Sequence, residues 1–188
     1  MRHPNRIAAT VALLVASASP LAAQAPPPHE HHEPKVSELQ TPSSIGSEHR
    51  ALHRVLERAA REPGALGVAA KRLEAALAPH FKREEEIATP PLGLLPRLAG
   101  GNVTEDMRAV LPMTQALERE LPAMLEEHEV IRAAVAQFRL AAEAARQQDY
   151  VRFSDELAAH ARQEEEILYP AAILVGRYVA LSLGARAD

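Results

Sequence analysis

Apolar positions recur at steps of three and four along most of the chain, which is the spacing that lines one face of an α-helix. One series runs Ile45, His49, Leu52, Leu56; a second runs Leu73, Leu77, His80, Glu84, Ile87. A third runs Leu121, Met124, His128, Ile131, Val135, Phe138, and a fourth runs Phe153, Leu157, His160, Glu164, Ile167. Each series is a seam that faces a bundle core, and each carries His, or His and Glu, where leucine belongs. The pattern predicts four helices. The first starts at Ser47, a good N-cap, and reaches Arg61 before Pro63-Gly64. The second covers Ala65 to Ala88, with Pro79 inside it as a kink or a lost hydrogen bond. Residues 89–103 read as a Pro/Gly loop. Thr104 caps a long third stretch, interrupted at Pro112 and Pro122 and ending near Gln148. The fourth helix runs from Asp149 to Tyr169, and after Pro170 the segment AAILVGRYVALSLG forms a short apolar helix across the end of the bundle. That segment is too short to span a membrane.

The helices also pair in sequence. EHRAL (48–52) matches EHEVI (127–131), and HFKREEE (80–86) matches HARQEEE (160–166). An internal helix-pair repeat follows, and with it an all-α fold. In each triplet only Glu84 and Glu164 lie on the seam. Glu85, Glu86, Glu165 and Glu166 rotate away and read as the solvated side of the helix.

Composition supports the helical reading. The 188 residues include no tryptophan, three Phe and three Tyr, so the core is expected to come mainly from Leu, Val, Ile and Ala. The formal net charge is −4, which carries no nucleic-acid footprint. Zero cysteines excludes disulfides, thiolate metal sites and a cysteine nucleophile together. Metal chemistry in this chain uses nitrogen and oxygen ligands.

The N-terminus reads as an export signal over residues 1–23. Arg2 and Arg6 precede the short apolar run IAATVALLVASA, and small residues lead to a cleavage site after Ala23. The mature protein is then periplasmic or secreted, with no membrane attachment. Residues 24–44, rich in proline and polar side chains, read as a flexible linker. Its cluster His29, Glu30, His31, His32, Glu33 reads as solvated, since a proline-flanked flexible peptide holds no fixed coordination geometry. The bundle occupies 45–170 and the apolar helix and tail 171–188.

Six polar groups on apolar seams need partners. A buried ionised carboxylate is strongly disfavoured unless it is paired or binds a metal. No Lys or Arg stands on a facing seam to balance Glu84 and Glu164, whereas a pair of metal ions would. His and Glu at i and i+4 lie one turn apart on one face, within reach of one cluster. A single seam histidine is ordinarily a hydrogen-bonded core residue; four of them with two carboxylates, in a repeat, point to a metal site at His49, His80, Glu84, His128, His160 and Glu164.

At these residues the chain resembles the hemerythrin-like family of HHE cation-binding domains, whose marks are His on the first helix, H-x-x-x-E on the second, His on the third and H-x-x-x-E on the fourth. The resemblance implies an antiparallel four-helix bundle around two non-haem iron ions, oxo- or hydroxo-bridged, with manganese as an alternative metal. It further implies that His49 and His80 bind one ion, His128 and His160 the other, and that Glu84 and Glu164 bridge them. The partner it implies is a small diatomic ligand, O2 or NO, bound for carriage, storage or sensing. A di-iron oxidase, a peroxidase or an NO-stress iron-handling enzyme is the alternative, and a metal-buffering bundle without catalysis another. A metal- and ligand-binding protein is favoured over an enzyme. Oxygen-carrying members place a fifth histidine on the third helix, where this chain has Arg132. His53, one turn after His49, is the alternative fifth ligand, although Leu52 holds the next seam position and reads His53 as a flanking side chain. The iron-repair branch shares the four-His, two-Glu set but carries a cysteine-containing N-terminal segment that this chain lacks. Ferritin-type E-x-x-H pairs and the H-E-x-x-H zinc-protease motif are absent.

Overall fold

The computed structural model describes residues 39–184. The expected export signal, the linker up to residue 38 with its His/Glu cluster, and residues 185–188 lie outside the described residues. The described chain is all-helical, without a strand: α1 (Ser43–Ala59), α2 (Gly64–Ile87), α3 (Leu95–Ala99), α4 (Leu111–Ala144), α5 (Gln148–Gln163) and α6 (Tyr169–Ser182). Short 3₁₀ turns at Pro90–Leu94 and Glu105–Val110 flank α3. A π-helical turn, Glu164–Leu168, joins α5 to α6.

The proline positions account for most departures from the expected boundaries. Helix α1 begins four residues before Ser47, because Pro42 takes the N-cap position and its carbonyl accepts from Gly46 N at 3.1 Å. Ser47 instead donates its hydroxyl to Ser44 O at 2.8 Å within the helix. Residues 39–42 are packed rather than free linker. Leu39 joins an apolar cluster with Leu94 and Val110, and Thr41 Oγ1 lies 2.7 Å from Thr89 Oγ1. Pro79 and Pro122 both sit inside helices that run on past them. Pro112 occupies the first turn of α4, where a missing N–H costs nothing. Pro170 does the same for α6, so the chain does not break there. The expected loop 89–103 is largely helical turns, with Pro90, Pro91, Leu92 and Leu94 buried.

Two apolar clusters bracket the middle of the four long seams. One gathers Leu52 and Leu56 of α1, Leu73 and Leu77 of α2, Ile131 and Phe138 of α4, and Leu157 of α5. The other gathers Ile87, Leu117, Met124, Tyr169 and Ala172, with Ile45 packed against it. On every seam the polar residues fall between members of the two clusters. Each cluster excludes water from one side of that polar layer, and burial of large aliphatic side chains supplies roughly 1.5–3 kcal/mol apiece. Helix α6 approaches α4 very closely at Gly176, where an added Cβ would stand 2.0 Å from Thr114 Oγ1. Only glycine permits that approach midway along α6.

Ile167 departs from its expected place. The seam puts it in the core as the counterpart of Ile87, yet it is 57% exposed and Ile87 is 5% exposed. The cause is the π turn: Tyr169 N bonds to Glu164 O across five residues, which inserts one residue into the register. Tyr169 takes the inward position and is 1% exposed.

Candidate metal centre

His49, His80, Glu84, His128, His160 and Glu164 meet in one buried layer, none more than 4% exposed. Their donor atoms form two groups. His80, Glu84, His128 and Glu164 make one, and His49, His160 and Glu164 make the other; within each, all donor atoms lie within 4.8 Å of one another. Here the histidines pair across the bundle. His80 Nε2 is 2.7 Å from His128 Nε2, and the His49 and His160 rings stand 5.2 Å apart. The expected pairing of His49 with His80, and of His128 with His160, is therefore corrected: the facing rings come from α2 with α4 and from α1 with α5.

The carboxylates divide their oxygens between the groups. Glu164 Oε1 lies 2.6 Å from His160 Nε2 and 3.7 Å from His49 Nε2, and its Oε2 lies 3.4 Å from His128 Nε2. Glu84 Oε1 lies 3.7 Å from His80 Nε2, and its Oε2 lies 3.8 Å from His49 Nε2. A carboxylate with one oxygen toward each of two groups can bridge two ions.

Outer carboxylates face the other ring nitrogens. His80 Nδ1–H donates to Glu127 at 2.8 Å, His128 Nδ1–H to Glu165 at 2.6 Å, and His160 Nδ1–H to Glu48 at 3.1 Å. His49 Nδ1 is 3.5 Å from Glu85, without hydrogen-bond geometry. A proton fixed on Nδ1 turns the Nε2 lone pair inward, as metal-ligating histidines require. Glu165 was expected to be solvated; it is 24% exposed, and it also accepts from Arg132 Nη1 at 2.7 Å. Arg132, at the position of the absent fifth histidine, thus acts on a carboxylate behind His128. The other candidate fifth ligand, His53, belongs to neither donor group. Its ring meets the edge of Phe81 at 5.3 Å, and Phe81 itself stacks on His49 at 4.5 Å.

Sequence reasoning missed Tyr169. Its hydroxyl donates to Glu84 Oε1 at 2.5 Å and lies 3.3 Å from both His80 Nε2 and His128 Nε2. It also missed Glu48 and Glu127, although the repeated Glu-His dipeptide (48–49, 127–128) was the available signal.

Electrostatics show what the cluster demands. Burial, reinforced by the Glu164 charge, holds the Glu84 carboxyl well above the usual range. Burial acts the same way on Glu164 but is outweighed by the facing rings of His128, His160 and His49, which hold its carboxyl well below that range. Burial disfavours charge on His128 and His160, yet Glu164 and the outer carboxylates raise both. His80 is lowered, chiefly by burial, with Glu127 opposing. Burial and the two carboxylates raise the Tyr169 phenol. Protons on His128 and His160 supply the positive charge that Glu164 requires, and a metal ion supplies it in their place. Even so, no well-formed hydrogen bond reaches His49 Nε2, His160 Nε2, Glu84 Oε2 or Glu164 Oε1, although His160 Nε2 and Glu164 Oε1 face each other at 2.6 Å. Buried polar atoms without good hydrogen bonds are rare and costly, and these four belong to the two donor groups of one buried layer. The donor set fits a metal.

Against models of known families, residues 113–181 match the hemerythrin HHE cation binding domain. The resemblance seen in the sequence thus holds over a span that includes His128, His160, Glu164 and Tyr169. No curated protein and no solved structure matches the chain.

Proposed function

We propose that this chain is an exported, non-haem di-iron protein of the hemerythrin-like kind that binds a small diatomic ligand, O2 or NO, for carriage, storage or sensing. The four inward donor atoms left without a well-formed hydrogen bond in the buried layer carry this reading. His80 and His128 would hold one ion with Glu84, His49 and His160 the other, and Glu164 would face both. Iron bound there would supply reducing electrons and would bind the diatomic ligand. Manganese suits the same donors, and availability decides between them. Glu127, Glu165 and Glu48 orient three of the histidines, while the apolar clusters keep bulk water out.

The alternation of the two apolar clusters along successive seams supports an antiparallel bundle. From Ile45 the first seam passes through His49 to Leu52, whereas the second passes from Leu77 through Glu84 to Ile87; the third and fourth repeat that reversal. The matched links of Glu127 to His80 and Glu48 to His160 support the helix-pair repeat. Export rests on Arg2, Arg6 and the apolar run to Ala23.

Metal analysis of the purified protein, followed by anaerobic reduction and titration with oxygen, tests the proposal. Two metals per chain and a spectral change reversed by removing oxygen are expected. Irreversible oxidation with turnover would replace ligand carriage with a di-iron oxidase. Unchanged metal uptake in both His80→Ala and Glu164→Ala would overturn the metal centre itself.

A further inference from the structure

We propose that Tyr169 is a further ligand, binding through its phenol oxygen to the ion held by His80, His128 and Glu84. This rests on the metal-centre reading above. Ligand atoms about 2.1 Å from an ion and at right angles to each other lie about 3 Å apart. The Tyr169 oxygen lies near that spacing from two donors, 3.3 Å from each Nε2, and its hydroxyl hydrogen-bonds to a third, Glu84 Oε1, at 2.5 Å. The two Nε2 atoms are themselves 2.7 Å apart. The hydroxyl therefore stands among the donors, at their mutual spacing, not behind them.

The π turn is what delivers it. Five residues along an α-helix turn the side chain about 140° away from the starting face. The five-residue hydrogen bond from Tyr169 N to Glu164 O closes a wider turn, so His160, Glu164 and Tyr169 share one face. Thr89 holds the matching place before Pro90, yet its Oγ1 reaches Thr41 Oγ1 and the Glu84 backbone, not the donors. The centre is thus unequal. The half around His80 and His128 has its own oxygen, while in the other half His49 Nε2 has no hydrogen-bond partner and only His160 Nε2 and Glu164 Oε1 face each other closely, at 2.6 Å. That half is the one left open to an added ligand.

On ferric iron the phenol O–H bond breaks, the oxygen donates a lone pair to the ion, and the proton leaves to the buffer; no oxidation state changes. The test loads the full chain with ferrous iron and oxidises it in air. Iron per chain is measured alongside the visible and resonance Raman spectra. Wild type should show a phenolate-to-iron charge-transfer band with tyrosinate vibrations. Tyr169→Phe should lose both while keeping its iron, and Tyr178→Phe should keep both. Iron uptake without the band in wild type, or a band that survives in Tyr169→Phe, overturns the assignment of Tyr169 alone. Failure of wild type to take up iron overturns the metal centre beneath it.

Discussion

Glu165 and Glu85 follow Glu164 and Glu84 directly in the chain and face equivalent histidines, but at different ranges. Glu165 accepts the His128 Nδ1–H at 2.6 Å, is braced by Arg132 at 2.7 Å and is 24% exposed. Glu85 stands 3.5 Å from His49 Nδ1 and is 54% exposed. Replacing Glu165 by alanine leaves a buried Nδ1–H unpaired and frees the ring to turn. Loss of such an orienting carboxylate weakens metal binding about 10–100-fold, or about 1.4–2.8 kcal/mol at 1.4 kcal/mol per tenfold. The Glu85 pair is a solvent-screened contact worth at most about 1 kcal/mol, so Glu85→Ala should cost less than about fivefold. Competition titration of each metal-free variant against a chelator of known affinity gives the two ratios. Equal losses in both variants, or none in Glu165→Ala, would refute the argument that orientation through Nδ1 sets affinity.

The same geometry sets three further expectations. His53→Ala should leave metal stoichiometry and affinity unchanged, since His53 packs on Phe81 outside both donor groups; elemental analysis checks this. Gly176→Ala should lower stability by about 1–3 kcal/mol through overpacking against Thr114, read from chemical denaturation of the metal-free form. Metal uptake should weaken as pH falls, with protons released on binding. Glu84, His128 and His160 are all raised, so each retains its proton to higher pH, and a metal must displace it. Titrations at several pH values in buffers of different ionisation enthalpy would expose a zero or inverse dependence.

The seam residues were legible because a helix repeats every 3.6 residues and a histidine or glutamate in that register has nowhere to point but inward. His49, His80, Glu84, His128, His160 and Glu164 follow from that alone. Which histidines face one another was not legible, since spacing within a helix says nothing about which helices pack side by side. Glu165 was read as wet because its distance from the seam places it on the flank; its contact with His128 comes from a neighbouring helix. Tyr169 and Ile167 were exchanged for a different reason. The five-residue turn leaves no mark in a pattern of threes and fours, and Pro170 looked like a stop when it is the first turn of α6.

That turn also changes how substitutions should be judged. HFKREEEI and HARQEEEI end on the same letter, and any alignment pairs Ile87 with Ile167. One is enclosed by Leu92, Leu117 and Met124, and the other faces water. An aspartate at the first would be expected to abolish folding, while the same aspartate at the second would pass unnoticed. Tolerance to change at matched positions therefore cannot be transferred from one half of the chain to the other.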